Sequence, residues 1–296
     1  MVTFKRLHEV PMKMVLEAWE KGFEGYYVNL SMPLQAFVTR LTNEDLLLDL
    51  SNIMLDGDKP IGINLNGIRS VKGQVTSWNG GIGIAPEYRG QGLGKLLMEE
   101  SMKAYREAGV HQATLEAFVQ NKGAIKLYER FGYVIKDKLL HMSSSDPVYL
   151  ETESGVDATF TTITDMPIAA SGLPFYNSAA AWQTQWQSAK GGQSLIVYLG
   201  GEPVGYAIYR LGYDPQGKLA SIALYQCEAQ PEQASIQQIY KYMLGQVFDP
   251  GKGNAKKVIV NLRESHTELV KVLLEAGFAT EIELVYMEKE MERERV

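Results

Sequence analysis

Apolar residues recur at helical spacing from Pro11 to Phe23 and again from Ser31 to Leu41, where Ser31 and Pro33 supply an N-cap and a first turn. The period then shortens. Asn52 to Leu55, the turn Asp56-Gly57-Asp58 and Pro60 to Ile68 predict strand, turn and strand, and Gly80 to Ala85 a further short strand. Helical spacing returns from Leu93 to Ala108 and stops at Gly109, a good C-cap residue. Ala113 to Phe118 predicts a strand, Lys122 to Phe131 a helix and Val134 to Met142 a last strand. Two helices, three strands, helix, strand, helix, strand is the order of an α/β domain with a mixed sheet.

The periods break at Ser143-Ser144-Ser145-Asp146-Pro147 and at Glu151-Thr152-Glu153-Ser154-Gly155, polar stretches with Pro and Gly that predict a linker. The expected division is a domain at 1–142, a linker at 143–157 and a second domain at 158–296. The two halves echo each other. Thr3-Phe4 followed by Pro11 matches Thr159-Phe160 followed by Pro167 at an offset of 156 residues. Pro60-x-Gly62 matches Pro203-x-Gly205 at 143, and Ala113 to Tyr133 matches Val258 to Phe278 at 145. Three matches in one order, with offsets that differ only by loop lengths, predict a duplicated fold.

Composition narrows the function. The 296 residues are 45% hydrophobic and 22% charged, near globular averages. Through Val148 there are 17 Lys and Arg against 17 Asp and Glu, and the remainder has 12 against 18, so the net charge of −6 belongs to the second half. An acidic chain without a basic run is a poor nucleic-acid binder. No run approaches the length of a membrane helix, and the N-terminus has no secretory pattern, so the expected location is cytoplasmic. A lone Cys227 excludes an internal disulfide, and no Cys or His spacing suits a structural zinc or other metal site.

The chemistry concentrates in Ile82-Gly83-Ile84-Ala85-Pro86-Glu87-Tyr88-Arg89-Gly90-Gln91-Gly92-Leu93-Gly94-Lys95, where a strand ends and a Gly-rich turn opens a helix. Such a turn presents unpaired N–H groups at the positive end of the helix, and glycines let a phosphate approach the backbone. Arg89 and Lys95 add charge. A P-loop is excluded, because Arg89 stands where its first Gly would be and Leu96 where its Ser or Thr would be. The dinucleotide fingerprint also fails, since Gly90, Gly92 and Gly94 are evenly spaced. A second constellation, Asn121-x-x-Ala124-x-x-x-Tyr128-x-x-x-Gly132-Tyr133, puts an amide, a small residue and a phenol on one helical face. For a lone Tyr128, packing as a half-buried core aromatic is the alternative.

Together these residues resemble the GNAT superfamily of N-acetyltransferases. Arg89-x-x-Gly92-x-Gly94 is similar to its Arg/Gln-x-x-Gly-x-Gly/Ala pattern, Asn121 to Tyr133 is similar to its later motif, and the resemblance covers Phe4 to Met142. It implies two tandem GNAT-like domains, each a mixed, mostly antiparallel sheet flanked by helices. It implies acetyl-CoA as co-substrate: backbone groups of Ile82, Ile84 and Ala85 pairing with the pantetheine amides, and N–H groups of Arg89, Gly90, Gln91, Gly92, Leu93, Gly94 and Lys95 holding the pyrophosphate. Asn121 would contact the cofactor, and Tyr128 would lie near the sulfur. The implied reaction is direct attack of a primary amine on the thioester, with a backbone N–H of the strand ending at Ala85 on the oxyanion and Tyr128 as general acid. The strand from Trp78 to Ile84 carries no acid, so the base falls to Glu116, Glu24 or a water relay. A sensor that binds acetyl-CoA without transfer, and transfer to a protein amine, are the other readings.

The second half lacks this set. Glu232, Ser235 and Gln237 stand opposite Arg89, Gly92 and Gly94, and Leu273 and His266 opposite Tyr128 and Asn121. It reads as a degenerate copy kept for packing, for homodimer contacts or, preferentially, for walling the acceptor cleft. Trp182 and Trp186, four apart on an expected helix, read as core. His8, His111, His141 and His266 carry no motif, and the tail from Glu288 to Val296 reads as a solvated end.

Overall fold

The computed structural model describes residues 1–71, 73–148, 150, 160–231, 233, 235–249 and 255–291. It divides into two compact units, Met1–Lys136 with Tyr286–Val296, and Asp137–Val285. The first half supplies β1 (Val2–Arg6), α1 (Met12–Gly22), α2 (Leu34–Asn43), β2 (Asn52–Asp56), β3 (Lys59–Val71), β4 (Gln74–Ile84), α3 (Leu93–Glu107), β5 (Gln112–Phe118), α4 (Lys122–Arg130) and β6 (Val134–Ser144). The second supplies β7 (Phe160–Asp165), α5 (Pro167–Ala170), β8 (Gln193–Leu199), β9 (Glu202–Tyr213), β10 (Leu219–Ala229), α6 (Ile236–Val247), β11 (Lys256–Arg263), α7 (Thr267–Glu275) and β12 (Ala279–Glu290).

The strand order is β1-β2-β3-β4-β5 in the first unit, with the end of β12 from Tyr286 beside β5, and β6-β11-β10-β9-β8-β7 in the second, which also holds the start of β12 as far as Val285. Antiparallel ladders join β1 through β4 and β7 through β10, while β4–β5 and β10–β11 run parallel. Each unit takes in part of the last strand of the other half, Asp137–Ser144 of β6 in the second and Tyr286–Glu290 of β12 in the first. β6 runs antiparallel to β11, with Ser144 opposite Lys257 and Leu139 opposite Arg263, and buries Leu140 and Met142 in the second unit's core. The end of β12 lies beside β5, where the N–H of Met291 donates to the His111 carbonyl at 2.9 Å. The compact units are thus bounded at Lys136/Asp137 and Val285/Tyr286, inside β6 and β12. Ser143 and Ser144, expected in a linker, are ladder residues of β6, while Glu151 to Gly155 lie outside the described residues. Of the expected tail, β12 takes Glu288 to Glu290, and 292–296 lie outside the described residues.

The repeat is visible in the backbone. At an offset of 143, Gly57 and Gly200 turn with φ of 60° and 61°. The register shift at Met54/Leu55 recurs at Val197/Tyr198. At 145, Asn121 and His266 occupy N-caps with φ of −81° and −80°, and Gly132 and Gly277 both have φ of 84°.

Three elements depart from the sequence expectation. β4 starts at Gln74 rather than Gly80, because its first residues are polar yet buried: Ser77 is fully inside, and Asn79 donates to the Asn64 side chain at 2.6 Å. Polar residues inside a core hide a strand from hydrophobic patterning. Trp182, placed on a helix by spacing, starts the single 3₁₀ turn Trp182–Thr184 instead, although it is buried as expected. β1 is a short strand at the sheet edge that the hydrophobic pattern did not single out.

Both cores hold buried tyrosines. Burial pushes the phenols of Tyr105, Tyr128 and Tyr133 in the first unit, and Tyr206 and Tyr240 in the second, well above the ordinary value. A phenol whose folded pKa exceeds its unfolded value, near 10, contributes stability that is complete below that value and lost as pH rises through the folded one. The expected result is alkaline unfolding above about pH 10, with phenolate absorbance and loss of circular dichroism rising together. Ordinary titration of these tyrosines in a protein that keeps its dichroism would contradict this.

Candidate active site

The site in the first unit opens where two strands part. β4 and β5 pair only from Thr76–Gln112 to Asn79–Leu115, and beyond Asn79 they diverge, whereas β4 keeps its ladder with β3 as far as Ile84 opposite Gly62. The ladder ends with the Ala85 N–H donating to the Ile61 carbonyl at 2.9 Å. Antiparallel ladders alternate, so Gly83 also bonds toward β3, while Ile82 and Ile84 turn their backbone groups to the open side. An extended ligand can pair with Ile82 and Ile84 there. Ala85, expected with them, has its N–H committed to β3 and is fully buried.

Side chains alternate as well. Ile82 and Ile84 pack with Leu97 of α3, while Gly81 and Gly83 face α1. A Cβ on Gly83 would come within 2.9 Å of the Gly22 backbone, so glycine is what lets the end of α1 lie directly on β4.

A cleft of about 450 Å³ runs from this open edge to the start of α3 and along α4. The N–H groups of Gly90, Gln91, Gly92, Leu93 and Gly94 find no acceptor among the described residues. Gly90 and Gly92 hold φ of 76° and 80°, which L residues rarely adopt and which turn successive N–H groups to one side. With the helix dipole behind them, these groups fit a pyrophosphate. The Arg89 side chain is occupied otherwise: its guanidinium donates to the carbonyls of Ile84 at 2.9 Å, Gly22 at 3.3 Å and Glu24 at 2.6 Å. It clamps the loop after α1 against the end of β4. The Lys95 ammonium lies 3.3 Å from Glu99 and is exposed. Its own N–H already donates to Gly92 at 3.0 Å.

Asn121 caps α4, accepting from the Ala124 N–H at 3.2 Å, and reaches the Tyr26 hydroxyl at 3.4 Å. As the cap it stands just outside the helix on which sequence spacing had placed it. Tyr128 lines the cleft, 5% exposed, with its ring 6.2 Å from Tyr133. Desolvation raises its phenol, so it stays protonated through neutral pH.

Neither candidate base lines the cleft. Glu116 accepts from the Trp78 indole at 2.6 Å, and the Glu24 side chain is exposed while its carbonyl holds Arg89. No Asp, Glu or His appears among the described lining residues. Sequence reasoning passed over the rim: Phe23, Tyr26 and Tyr27 line the cleft, with Tyr27 stacked on Phe118 at 5.4 Å. Three aromatics around Gly25 in an inter-helix loop were the available signal.

Among the described residues no helix is long and apolar enough to cross a membrane. The family model for the acetyltransferase (GNAT) family matches residues 15–133. The chain is similar to N-alpha-acetyltransferase MAK3 of Arabidopsis thaliana, 44% identical over 58 residues, which is 20% of this chain and 30% of that protein. The match therefore spans less than a third of the relative. A tandem GNAT protein from the clavulanic acid biosynthesis pathway has a similar fold, with a TM-score of 0.64 at 14% identity over 98% of each chain. A GCN5-related N-acetyltransferase from Sphaerobacter thermophilus gives 0.65 at 16% identity, over 98% of this chain and 95% of that one. Residues 15–133 are thus similar to the acetyltransferase (GNAT) family, and the fold is similar to that of a tandem GNAT protein.

Proposed function

We propose that the first unit is an acetyl-CoA-dependent N-acetyltransferase that moves an acetyl group to a primary amine by direct attack. The observation that carries this is the run of unbonded N–H groups from Gly90 to Gly94, in one cleft with the free edge of β4 and Tyr128. Bound there, acetyl-CoA supplies an activated acetyl carbon and a thiolate leaving group. The N–H groups at the start of α3 hold the pyrophosphate, and Ile82 and Ile84 hold the pantetheine amides. With Ala85 committed to β3, Ile82 and Ile84 are the strand N–H donors left for the carbonyl oxygen, and Tyr128 donates its proton to the departing sulfur. The test is calorimetry and thiol release on the full chain. One acetyl-CoA per chain, with thiol appearing only when an amine is added, is expected. Tight binding without thiol release from any amine would leave a sensor.

The lining favours a particular acceptor. Without a carboxylate or imidazole in the cleft, proton removal depends on water, and the acceptor must arrive largely neutral. At pH 7 about one α-amine in ten is neutral, against fewer than about one alkylamine in a thousand. A peptide α-amine therefore fits better than a lysine-like amine, in keeping with the relative named an N-alpha-acetyltransferase. At pH 7, kcat/KM for a short peptide is expected to exceed that for a simple alkylamine by about a hundredfold. Equal values would show that a base was overlooked.

A further inference from the structure

The second unit has a cleft at the place where the first unit has its own, with the charge reversed. β10 and β11 pair only as far as Leu224–Ile259 and then part around a cavity of about 360 Å³. Cys227 and Ile236 line it where Ile82 and Leu93 line the first, since Cys227 pairs with Ala207 as Ile82 pairs with Asn64, and Tyr225 lines it beside them. The N–H of Gln230 donates to the Val204 carbonyl at 2.8 Å, and ladder alternation then turns the backbone groups of Cys227 into the cleft, as it does those of Ile82.

What fills the rim differs. Ser235 and Gln237 stand where Gly92 and Gly94 would be, and Glu232 lies outside the described residues. In their neighbourhood two carboxylates line the cavity, Glu228 and Glu268. Glu228 accepts from His266 at 2.8 Å and from Asn177 at 2.7 Å, and Glu268 accepts from Gln237 at 2.7 Å. Glu228 and His266 keep 17% and 18% of their side chains accessible, so the pair can be reached from the cavity. The one arginine in the described lining, Arg263, is engaged by the Ala179 carbonyl at 2.6 Å and by Asp137 at 3.9 Å. Burial pulls the His266 imidazole down, but its hydrogen bond to Glu228 and that carboxylate's charge outweigh this and raise it. An anion would meet two carboxylates and cations already spoken for. A metal ion is disfavoured too, since no group of three or more His, Cys, Asp or Glu among the described residues is arranged to hold one.

We propose that the second unit's cleft binds a small organic cation, a primary ammonium on an apolar body. The ammonium sits against Glu228, Glu268 and the Cys227 carbonyl, and the body lies on Tyr225, Ile236 and Leu262. The duplicated fold has then kept its pocket and exchanged an anion cradle for a cation site. This inference stands apart from acetyl transfer in the first unit, and its test reads a different residue.

The test uses the full chain and three probes of one shape: benzylamine, benzyl alcohol and benzoate. The chain has four histidines, so proton NMR resolves their ring signals, and His266→Gln identifies that of His266. Benzylamine is expected to shift the His266 signal saturably, with the alcohol and benzoate needing at least about tenfold higher concentrations. Glu228→Gln is expected to weaken benzylamine about tenfold. Glu268→Gln, on the exposed first turn of α7, should weaken it in the same direction without touching the His266 pair, which covers the case of a Glu228 variant that folds poorly. Benzoate binding as well as benzylamine, benzylamine affinity unchanged in both variants, absence of any saturable His266 shift, or displacement of the His266 signal by acetyl-CoA would each overturn the proposal.

Discussion

Gly94→Glu is expected to weaken acetyl-CoA binding by at least about a hundredfold while leaving the fold intact or slightly more stable. Gly94 is the second residue of α3, and its φ is not among the positive ones. A Cβ there meets only the tip of Leu127, at 3.3 Å. A glutamate in the first turn of a helix is favoured by the dipole and by propensity, together about 1 kcal/mol. The same carboxylate stands where the pyrophosphate would and competes for the N–H groups of Gly90 to Gly94. Repulsion between unit charges about 5 Å apart, at an effective dielectric of roughly 20, is about 3 kcal/mol, or about a hundredfold. Gly92 makes a poorer probe, because at φ of 80° any side chain strains the backbone and confuses folding with binding. Calorimetry paired with a thermal melt checks the expectation. Acetyl-CoA affinity unchanged in a folded Gly94→Glu protein would move the phosphate site elsewhere.

The parts of the site that sequence could reach are those where backbone conformation is written in residue type. Glycines at 90, 92 and 94 announced a turn with open N–H groups, and the structure has one. Asn121 announced a group at the head of α4, and it is the cap. Side-chain commitments were out of reach, because they depend on what lies opposite. Arg89 reads as a phosphate ligand until three carbonyls are found around it, and Glu116 as a base until the Trp78 indole is found on it. The exchange of β6 and β12 was hidden for a related reason. In a repeat, the last strand of each half carries much the same pattern, so nothing local says whether β6 closes against β5 or against β11. His266, the N-cap of α7, has no motif around it and became interpretable only when Glu228, on β10, appeared 2.8 Å away.

Tyr128→Phe is expected to lower turnover by about a hundredfold or more while changing acetyl-CoA affinity by less than about twofold. The ring is buried on α4 beside Tyr133, and phenylalanine keeps that packing. Tyr128 lines the cleft, and hydrogen bonds with the chain play no part in the raised pKa of its phenol, so removal of the hydroxyl leaves no orphaned partner and should hardly alter stability. What is lost is a proton held ready for the leaving thiolate. Because desolvation raises the phenol, the wild-type rate should not fall near pH 9 through loss of this proton, and any decline there must come from another group. A pure packing role predicts the opposite of the rate effect, with turnover near wild type and at most a small shift in melting temperature. Single-turnover rates with an acceptor in hand distinguish the two, since they report chemistry free of product release. Full single-turnover activity in Tyr128→Phe would remove the general acid from the mechanism and leave solvent to protonate the sulfur.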